Sequence, residues 1–340
     1  MTKLWLLFFL FFIPVAIQSC AVNRIPVKRQ DPLIGRIIDT RTSVPVDFDT
    51  LIEKISTHDV IYLSEKHDNP DHHAMQQRVI KQLIQNGIVP LIGFEFFSME
   101  DTPDLLNFID SGKAAHSKNL TKIIESDLRK KLGWDTQPDN MWAYYYDLLT
   151  VARENSLEVA GLDLPTTLKK RITRKGMDGI TPIEKEQVFS TRLSDQGYKD
   201  YMLSIFRVVH CGMGNEQMQS KLWDTWVARN DRMALSITRL KHHHKGPLVV
   251  IIGGGHTEYG LGVINRVAAI DPNLTQINFA FREISTTPAD LPEYLTPLDL
   301  EGYNRVAPAD FLFFTQRVSY EDPCEEFKKS MRKMKKPTEN

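Results

Sequence analysis

The sequence predicts an α/β fold: a mainly parallel sheet flanked by helices, with an inserted helical cap. Three observations predict it. Short β-branched and apolar runs alternate with segments of helical periodicity, the pattern of βαβ units. An ionisable residue stands at the end of each of the central apolar runs. The stretch from about residue 165 to 245 holds more helical sequence than one crossover needs.

Taken in order, "DVIYLS" from Asp59 reads as a buried strand. "HHAMQQRVIKQLIQNG" follows, with Met75, Val79, Ile80, Leu83 and Ile84 at helical spacing and Gly87 as a stop. "IVPLIGFEFF" is the next strand, with Pro90 near its start, where a missing donor is tolerated. "WAYYYDLLTVAREN" reads as a helix and "LEVAGLDLP" as a strand. After the helical cap, "PLVVIIGGGH" is the clearest strand, then "YGLGVINRVAAI" a helix. "QINFAFRE" and "DFLFFTQRV" are two more strands. The α/β domain is expected over residues 47–320.

The chain has 340 residues, with 42 basic and 43 acidic side chains and a formal charge of −1. That balance argues against a nucleic-acid partner, which usually calls for a basic excess. An apolar content of 42% is enough for a sizeable core.

Residues 1–19 are expected to be a lipoprotein signal peptide. A single Lys precedes an apolar run from Leu4 to Ile17, short for a membrane span. "IQSC" resembles a bacterial lipobox, with lipid attached at Cys20 after cleavage before it. The mature chain is then exported and lipid-anchored at the cell envelope; Ala21, with no Asp there, points to an outer membrane. Residues 20–46 are expected to form a polar tether, and 321–340 a polar, basic tail that is solvated. Cys211 and Cys324 are structural or free, and export allows them to pair.

In a parallel sheet, ligands bind beyond the carboxyl ends of the strands. The expected strands deliver Glu65 and His67, then Glu95, Asp163, His256 and Arg282. Glu95 lies among Phe94, Phe96 and Phe97, where a carboxylate needs a metal, an Arg or a donor to offset its desolvation. Arg229 and Arg282 are the cations considered for it. "GGGH" gives a turn of bare backbone followed by the His256 imidazole, without the Lys-Ser or Lys-Thr ending of a P-loop. His73 and Gln76 share a helix face, and of His72 and His73 only His73 is expected to point inward. Asp68 and Asp71 suit turns and caps. "KHHHK" at 241–245 is a solvated helix end, because consecutive side chains diverge. Arg229 and Asn230 can face the ligand edge from an amphipathic helix.

At these residues the chain resembles a family. "SEKHDNPDHHAMQ", "GFEFF", "LGW", "GLDLP", "RNDRMA" and "GGGHTEYGLGV" resemble, in order, motifs of the ChaN-like haem-binding uptake proteins. That family lies in the Tiki superfamily, with erythromycin-esterase-like enzymes and metal-dependent membrane proteases. The resemblance spans about residues 45–320. It implies an α/β fold with a helical cap, and an iron-regulated lipoprotein. It places Glu65, His67, His73, Gln76, Glu95, Arg229 and His256 at the family's polar positions. Two residues depart from the superfamily's enzymes: Ser64 stands for the Gly of the first Gly-x-x-His, and Asn230 for the Asp of an Arg-Asp pair.

Two functions follow. The first is haem binding for haem or iron acquisition, with a pair of subunits holding haem between them and an uptake receptor as a further partner. Haem needs an axial His or Tyr and an apolar slot; His256, His67 and Tyr259 are the donors considered. The second is a metal-dependent or acid–base hydrolase, with Glu65, His67, Glu95, Arg229 and His256 as its catalytic set. A divalent ion would then sit on Glu65, His67 and His256. His73, Gln76, Asn230 and Tyr259 would contact the ligand in either case. No Gly-x-Ser-x-Gly elbow is present, which disfavours a serine hydrolase.

Overall fold

In each central strand alternate side chains face opposite ways, and here both sets are apolar. Ile61, Leu63, Ile92, Phe94, Val249 and Ile251 join one core; Val60, Tyr62, Leu91, Leu248, Val250 and Ile252 join another. Such strands need a helical layer on each face, and a computed structural model of the chain has both. It describes residues 30–111, 118–193 and 196–322, with 324, 325 and 328. The expected signal peptide, Cys20 and most of the expected basic tail lie outside the described residues.

The strands are β1 (Ile37–Asp39), β2 (Val44–Val46), β3 (Val60–Glu65), β4 (Leu91–Ser98), β5 (Val159–Asp163), β6 (Leu248–Gly253), β7 (Gln276–Glu283) and β8 (Phe311–Thr315). They form one sheet in the order β2-β1-β8-β7-β3-β6-β4-β5. From β8 to β5 all neighbours are parallel; β1 runs antiparallel to β8 and to β2 at one edge. Strand β6, late in the chain, lies between β3 and β4. The order therefore turns around at β3 and β6, and at such a turnaround a crevice opens beyond the strand ends.

One face is covered by α1 (Phe48–Ile55), α2 (Pro70–Gln85), α3 (Thr102–Ser111), α4 (Lys118–Lys131) and α5 (Asp139–Glu154). Helix α2 starts where the sequence asks it to. Asn69 caps the Asp71 N–H, and Pro70 takes the first helical position, where no donor is needed. The helix ends at Gly87, whose φ is +79°.

Between β5 and β6 run α6 (Thr166–Lys175), α7 (Pro182–Gln187), α8 (Gln196–Val209) and α9 (Glu216–His243). Helix α9 has two parts. From Glu216 to Val227 no residue is fully buried, and this half packs with α8 as a helical hairpin. From Ala228 onward Met233, Ala234 and Ile237 lie on the sheet. The expected cap over 165–245 thus ends partway along α9, and the inner half is the crossover into β6. Helices α10 (Val263–Ile270) and α11 (Leu291–Tyr294) follow.

The edge hairpin corrects a second expectation. Residues 37–46 do not belong to a tether: Ile38 is 1% exposed and pairs with Leu312. Two short strands of three residues carry too little periodicity to stand out in the sequence.

Cys211, in the turn between α8 and α9, is bonded to Cys324 beyond β8.

Candidate functional site

Glu65 ends β3, and Gly253 ends β6 directly beside it. Along β3, Ile61, Leu63 and Glu65 share a face, so Glu65 points toward α2 and α5. On β4, Glu95 follows Phe94 and takes the opposite face, toward α9. Two polar clusters form, one on each face of the sheet, and they meet over Gly253.

The Glu65 cluster is closed from below. Gln76 Nε2 donates to Oε2 at 2.5 Å, and Tyr145 OH donates to Oε1 in a short hydrogen bond. His73 Nδ1 lies 3.2 Å from Oε2 and 3.0 Å from Gln76 Oε1, while its Nε2 donates to the His67 carbonyl at 2.9 Å. Burial, with the neighbouring Glu65 charge, pushes the Tyr145 phenol far above its usual range, so it stays a donor. From above, His67 Nδ1 donates to Oε1 at 3.1 Å. That hydrogen bond leaves Nε2 as the nitrogen open to a ligand, and the His67 side chain is 41% exposed. Burial disfavours the charged His67 ring, but the hydrogen bond to Glu65 and the charges of Glu95 and Glu65 outweigh it, and its pKa rises.

The Glu95 cluster is tighter. Arg229 Nη2 donates to Glu95 Oε1 at 2.7 Å, and Arg229 Nε to Asp163 Oδ2 at 2.9 Å. Lys169 also reaches Asp163, at 2.7 Å. The Gly253 N–H donates to Glu95 Oε2 at 2.6 Å. His256 Nδ1 donates to Asn230 Oδ1 at 2.6 Å, and its Nε2 faces Glu95 Oε1 at 3.3 Å and Arg229 Nη1 at 3.4 Å. Trp226 stacks on the His256 ring at 4.0 Å. Burial lowers the His256 pKa, against the pull of the Glu95 charge. Burial would raise the Glu95 carboxyl, but His256 and Arg229 hold it well below its ordinary range.

A cleft of about 940 Å³ opens above both clusters. Glu65, His67, Glu95, Arg229 and the Gly253–His256 turn form its floor. Lys66, Trp226, Tyr259, Arg282, Tyr294, Leu298 and Arg317 are among its walls. The basic wall residues are paired with acids: Lys66 with Glu283, Arg282 with Glu258, and Arg317 with Glu283 at 3.8 Å. Gly253 makes room for the His67 ring, because a Cβ there would lie 2.5 Å from His67 Cε1.

The structure thus brings Glu65, His67, Glu95, Arg229 and His256 around one hollow, with Tyr259 on its wall. His73, Gln76 and Asn230 lie beneath it, buried behind the first set. Three expectations need correction. His72 points inward as well as His73: its Nδ1 accepts from the Lys66 N–H and its Nε2 meets Thr315 Oγ1, and burial takes its pKa down to about 3. His256 cannot reach a ligand as it stands, since it is 4% exposed and both nitrogens face neighbours. The proposed ion site on Glu65, His67 and His256 does not assemble, because Glu65 and His256 serve different faces of the sheet. Among the described residues no three His, Cys, Asp or Glu side chains are placed to share one ion.

Ser64 does not lie in the turn at all. It is buried in β3, donating to Asn278 Oδ1 and bonded to Thr257 Oγ1, away from the cleft. Asn230 orients His256 by its oxygen, and its buried Nδ2 has no hydrogen-bond partner. Tyr145 escaped the sequence reading. Its spacing from Trp142, Leu148 and Leu149 marks the buried face of α5 and singles it out among three consecutive tyrosines.

Comparison with known structures gives ChaN of Campylobacter jejuni, described by its cofacial haem binding. It is 18% identical, with 82% of this chain and 95% of that chain covered at a TM-score of 0.60, and it shares this fold. An erythromycin esterase mutant in its open conformation (12% identical, 78% and 77% covered, TM-score 0.42) and a protein from Bacillus cereus (13%, 69% and 68%, 0.41) also align. No curated protein sequence matches the chain. The profile of the family described as haem-binding uptake, Tiki superfamily, ChaN matches residues 51–267, which carry both polar clusters, and the chain belongs to that family.

Proposed function

We propose that the cleft binds haem, and that the chain serves haem or iron acquisition as a lipid-anchored protein of the cell envelope. One observation carries this within the family: His67 turns an open nitrogen into a cleft large enough for a cofactor-sized ligand.

The residues present fit the group. Haem takes an axial imidazole or phenolate and a slot with apolar walls. His67 offers the imidazole, and Tyr259 and Tyr294 offer phenols on the wall. Trp226, Pro297, Leu298 and Pro308 supply apolar surface. Lys66, Arg282 and Arg317 suit the two carboxylates of haem. Glu65 fixes the orientation and tautomer of His67, as outer partners of metal-binding histidines do. When bound, haem would supply an iron centre; the protein's part is to bind it, orient it and shield it from water. A second copy across the cleft and an uptake receptor are the partners this reading expects. The Cys211–Cys324 bond supports an oxidising compartment, in keeping with export.

The test is the visible spectrum of the full chain titrated with haemin, alongside His67→Ala and Tyr259→Phe. An intense, shifted Soret band at one haem per chain or per pair of chains is expected. The variant that shifts the band identifies the donor. Wild-type protein that leaves the haemin spectrum unchanged ends the proposal.

A second reading rests on the Glu65–His67 pair, since a carboxylate-held imidazole with an open nitrogen is also a general base. Arg229 would have to steady developing charge, yet it is 19% exposed and already held by Glu95 and Asp163. The acid–base form therefore has a base in place and a weakly available cation. Hydrolysis of a panel of esters that disappears in His67→Ala supports it; equal rates in the two proteins remove it.

A further inference from the structure

We infer that a second pocket, at the start of β7, binds a small zwitterion with an apolar body, the chemistry of a hydrophobic α-amino acid. This does not depend on what the cleft binds. The pocket holds about 640 Å³, within the range of small-molecule sites. Its floor is Gln276, Ile277 and Asn278 of β7, with Ala309 and Asp310 leading into β8. The turn between β1 and β2 forms a polar wall through Thr40, Arg41 and Ser43. Ile264 of α10, Leu295 and Val306 form an apolar one. Asn278 and Pro297 line the cleft as well, so the two hollows share a partition.

Two opposite charges line this pocket without meeting. Asp310 Oδ2 accepts from the Asn278 N–H at 2.8 Å, while Oδ1 has no partner among the described residues. Burial raises the Asp310 pKa, as expected of a carboxylate short of donors. The Arg41 charge is near enough to pull it back, yet the two form no ion pair. Arg41 has no other anion to turn to. Of the neighbouring Asp39, one oxygen takes the Arg41 backbone N–H at 3.1 Å and the other takes Lys54 at 2.7 Å. The remaining polar groups are already used inside the fold. Gln276 accepts from Tyr62 OH and donates to the Ile264 carbonyl. Asn278 accepts from Ser64 and donates to the Thr257 carbonyl, and Thr40 donates to the Ala309 carbonyl. Arg305 faces Asp299 at 3.7 Å. What stays unpaired is one anion and one cation, too far apart to join and close enough to feel each other. A zwitterion spans such a gap, with its ammonium on Asp310 and its carboxylate on Arg41. Its apolar body then lies on Ile264, Leu295 and Val306. A plain cation would meet the Arg41 charge, and a plain anion the Asp310 charge, so the pair together selects a molecule that carries both.

Isothermal titration calorimetry on the full chain tests this. The probes are L-leucine, L-methionine and L-phenylalanine, each beside the amine that lacks its carboxylate and the acid that lacks its ammonium. Saturable binding of at least one amino acid, at one per chain, is expected, with its amine and its acid weaker by about tenfold or more. Asp310→Asn and Arg41→Gln should each weaken that amino acid to a similar extent. Arg41 is exposed, and Asp310→Asn keeps an oxygen for the Asn278 N–H, so unliganded thermal midpoints close to wild type are expected. If Asp310→Asn does not fold, Arg41→Gln decides alone. No binding by any of the amino acids overturns the inference, and so does equal binding in wild type and variants. An amine or acid that binds as tightly as its parent also overturns it, because the site would then read a single charge.

Discussion

Glu65 and Glu95 leave the sheet on opposite faces, yet one ring lies between them. His67 donates to Glu65 at 3.1 Å, and its Cε1 lies 2.5 Å from where a Gly253 Cβ would be. Glu95 Oε2 is 3.3 Å from the same point. The ring therefore feels both carboxylates because the strand between them ends in a residue with no side chain.

Gly253→Ala should displace His67 more than it destabilises the fold. The clash falls on a side chain that is partly exposed and can swing away, so the loss should stay at the low end of overpacking costs, about 1 kcal/mol. Haemin titration should show weakened binding, with a thermal midpoint close to wild type.

Glu95→Gln should act on stability. Arg229 keeps Asp163 but loses its second buried anion, and breaking a buried pair costs about 3–5 kcal/mol. Glu95 has a depressed pKa, so its contribution is present above the ordinary value of 4.5 and is lost as pH falls through the folded value. Denaturant titrations should show wild type losing stability in acid more steeply than the variant.

His67 has the opposite sign. Its pKa is raised above 6.5, so the stability it contributes is present below 6.5 and fades as pH rises through the folded value. A proton on Nε2 competes with any ligand there. If His67 is the donor, haemin affinity rises over that same window, and a flat profile would place the donor elsewhere.

Cys211→Ser with Cys324→Ser, or reductant on wild type, should lower the unfolding midpoint. The bond closes a loop of sequence separation 113, for which the loss is roughly 2–5 kcal/mol. Equal midpoints with and without reductant would show that the bond carries no stability.

The central strands and the polar residue at each strand end were legible, because a buried parallel strand is a continuous apolar run and an acid at its end stands out. The convergence of Glu65, His67, Glu95 and His256 could be anticipated from the sheet alone. Their division between two faces could not: it depends on β6 lying between β3 and β4, and order within a sheet leaves no mark on local sequence. His72 was misjudged because adjacent helical residues usually diverge. Here Thr315 and the Lys66 N–H supply a second polar recess for it. Lys66 and Arg317 carry no local signal, because the wall they form exists only where β3 and the segment after β8 come together.

The position of β6 bears on when the cleft can form during synthesis. When Asp163 has been made, β3 and β4 exist but their common neighbour does not, and about eighty-five more residues must follow before Leu248 arrives. A nascent or truncated product ending inside the hairpin has neither a continuous sheet nor the Gly253–His256 turn. The walls at Arg282, Tyr294, Leu298 and Arg317 come later still, so the hollow is complete only once β8 and the segment after it have been added.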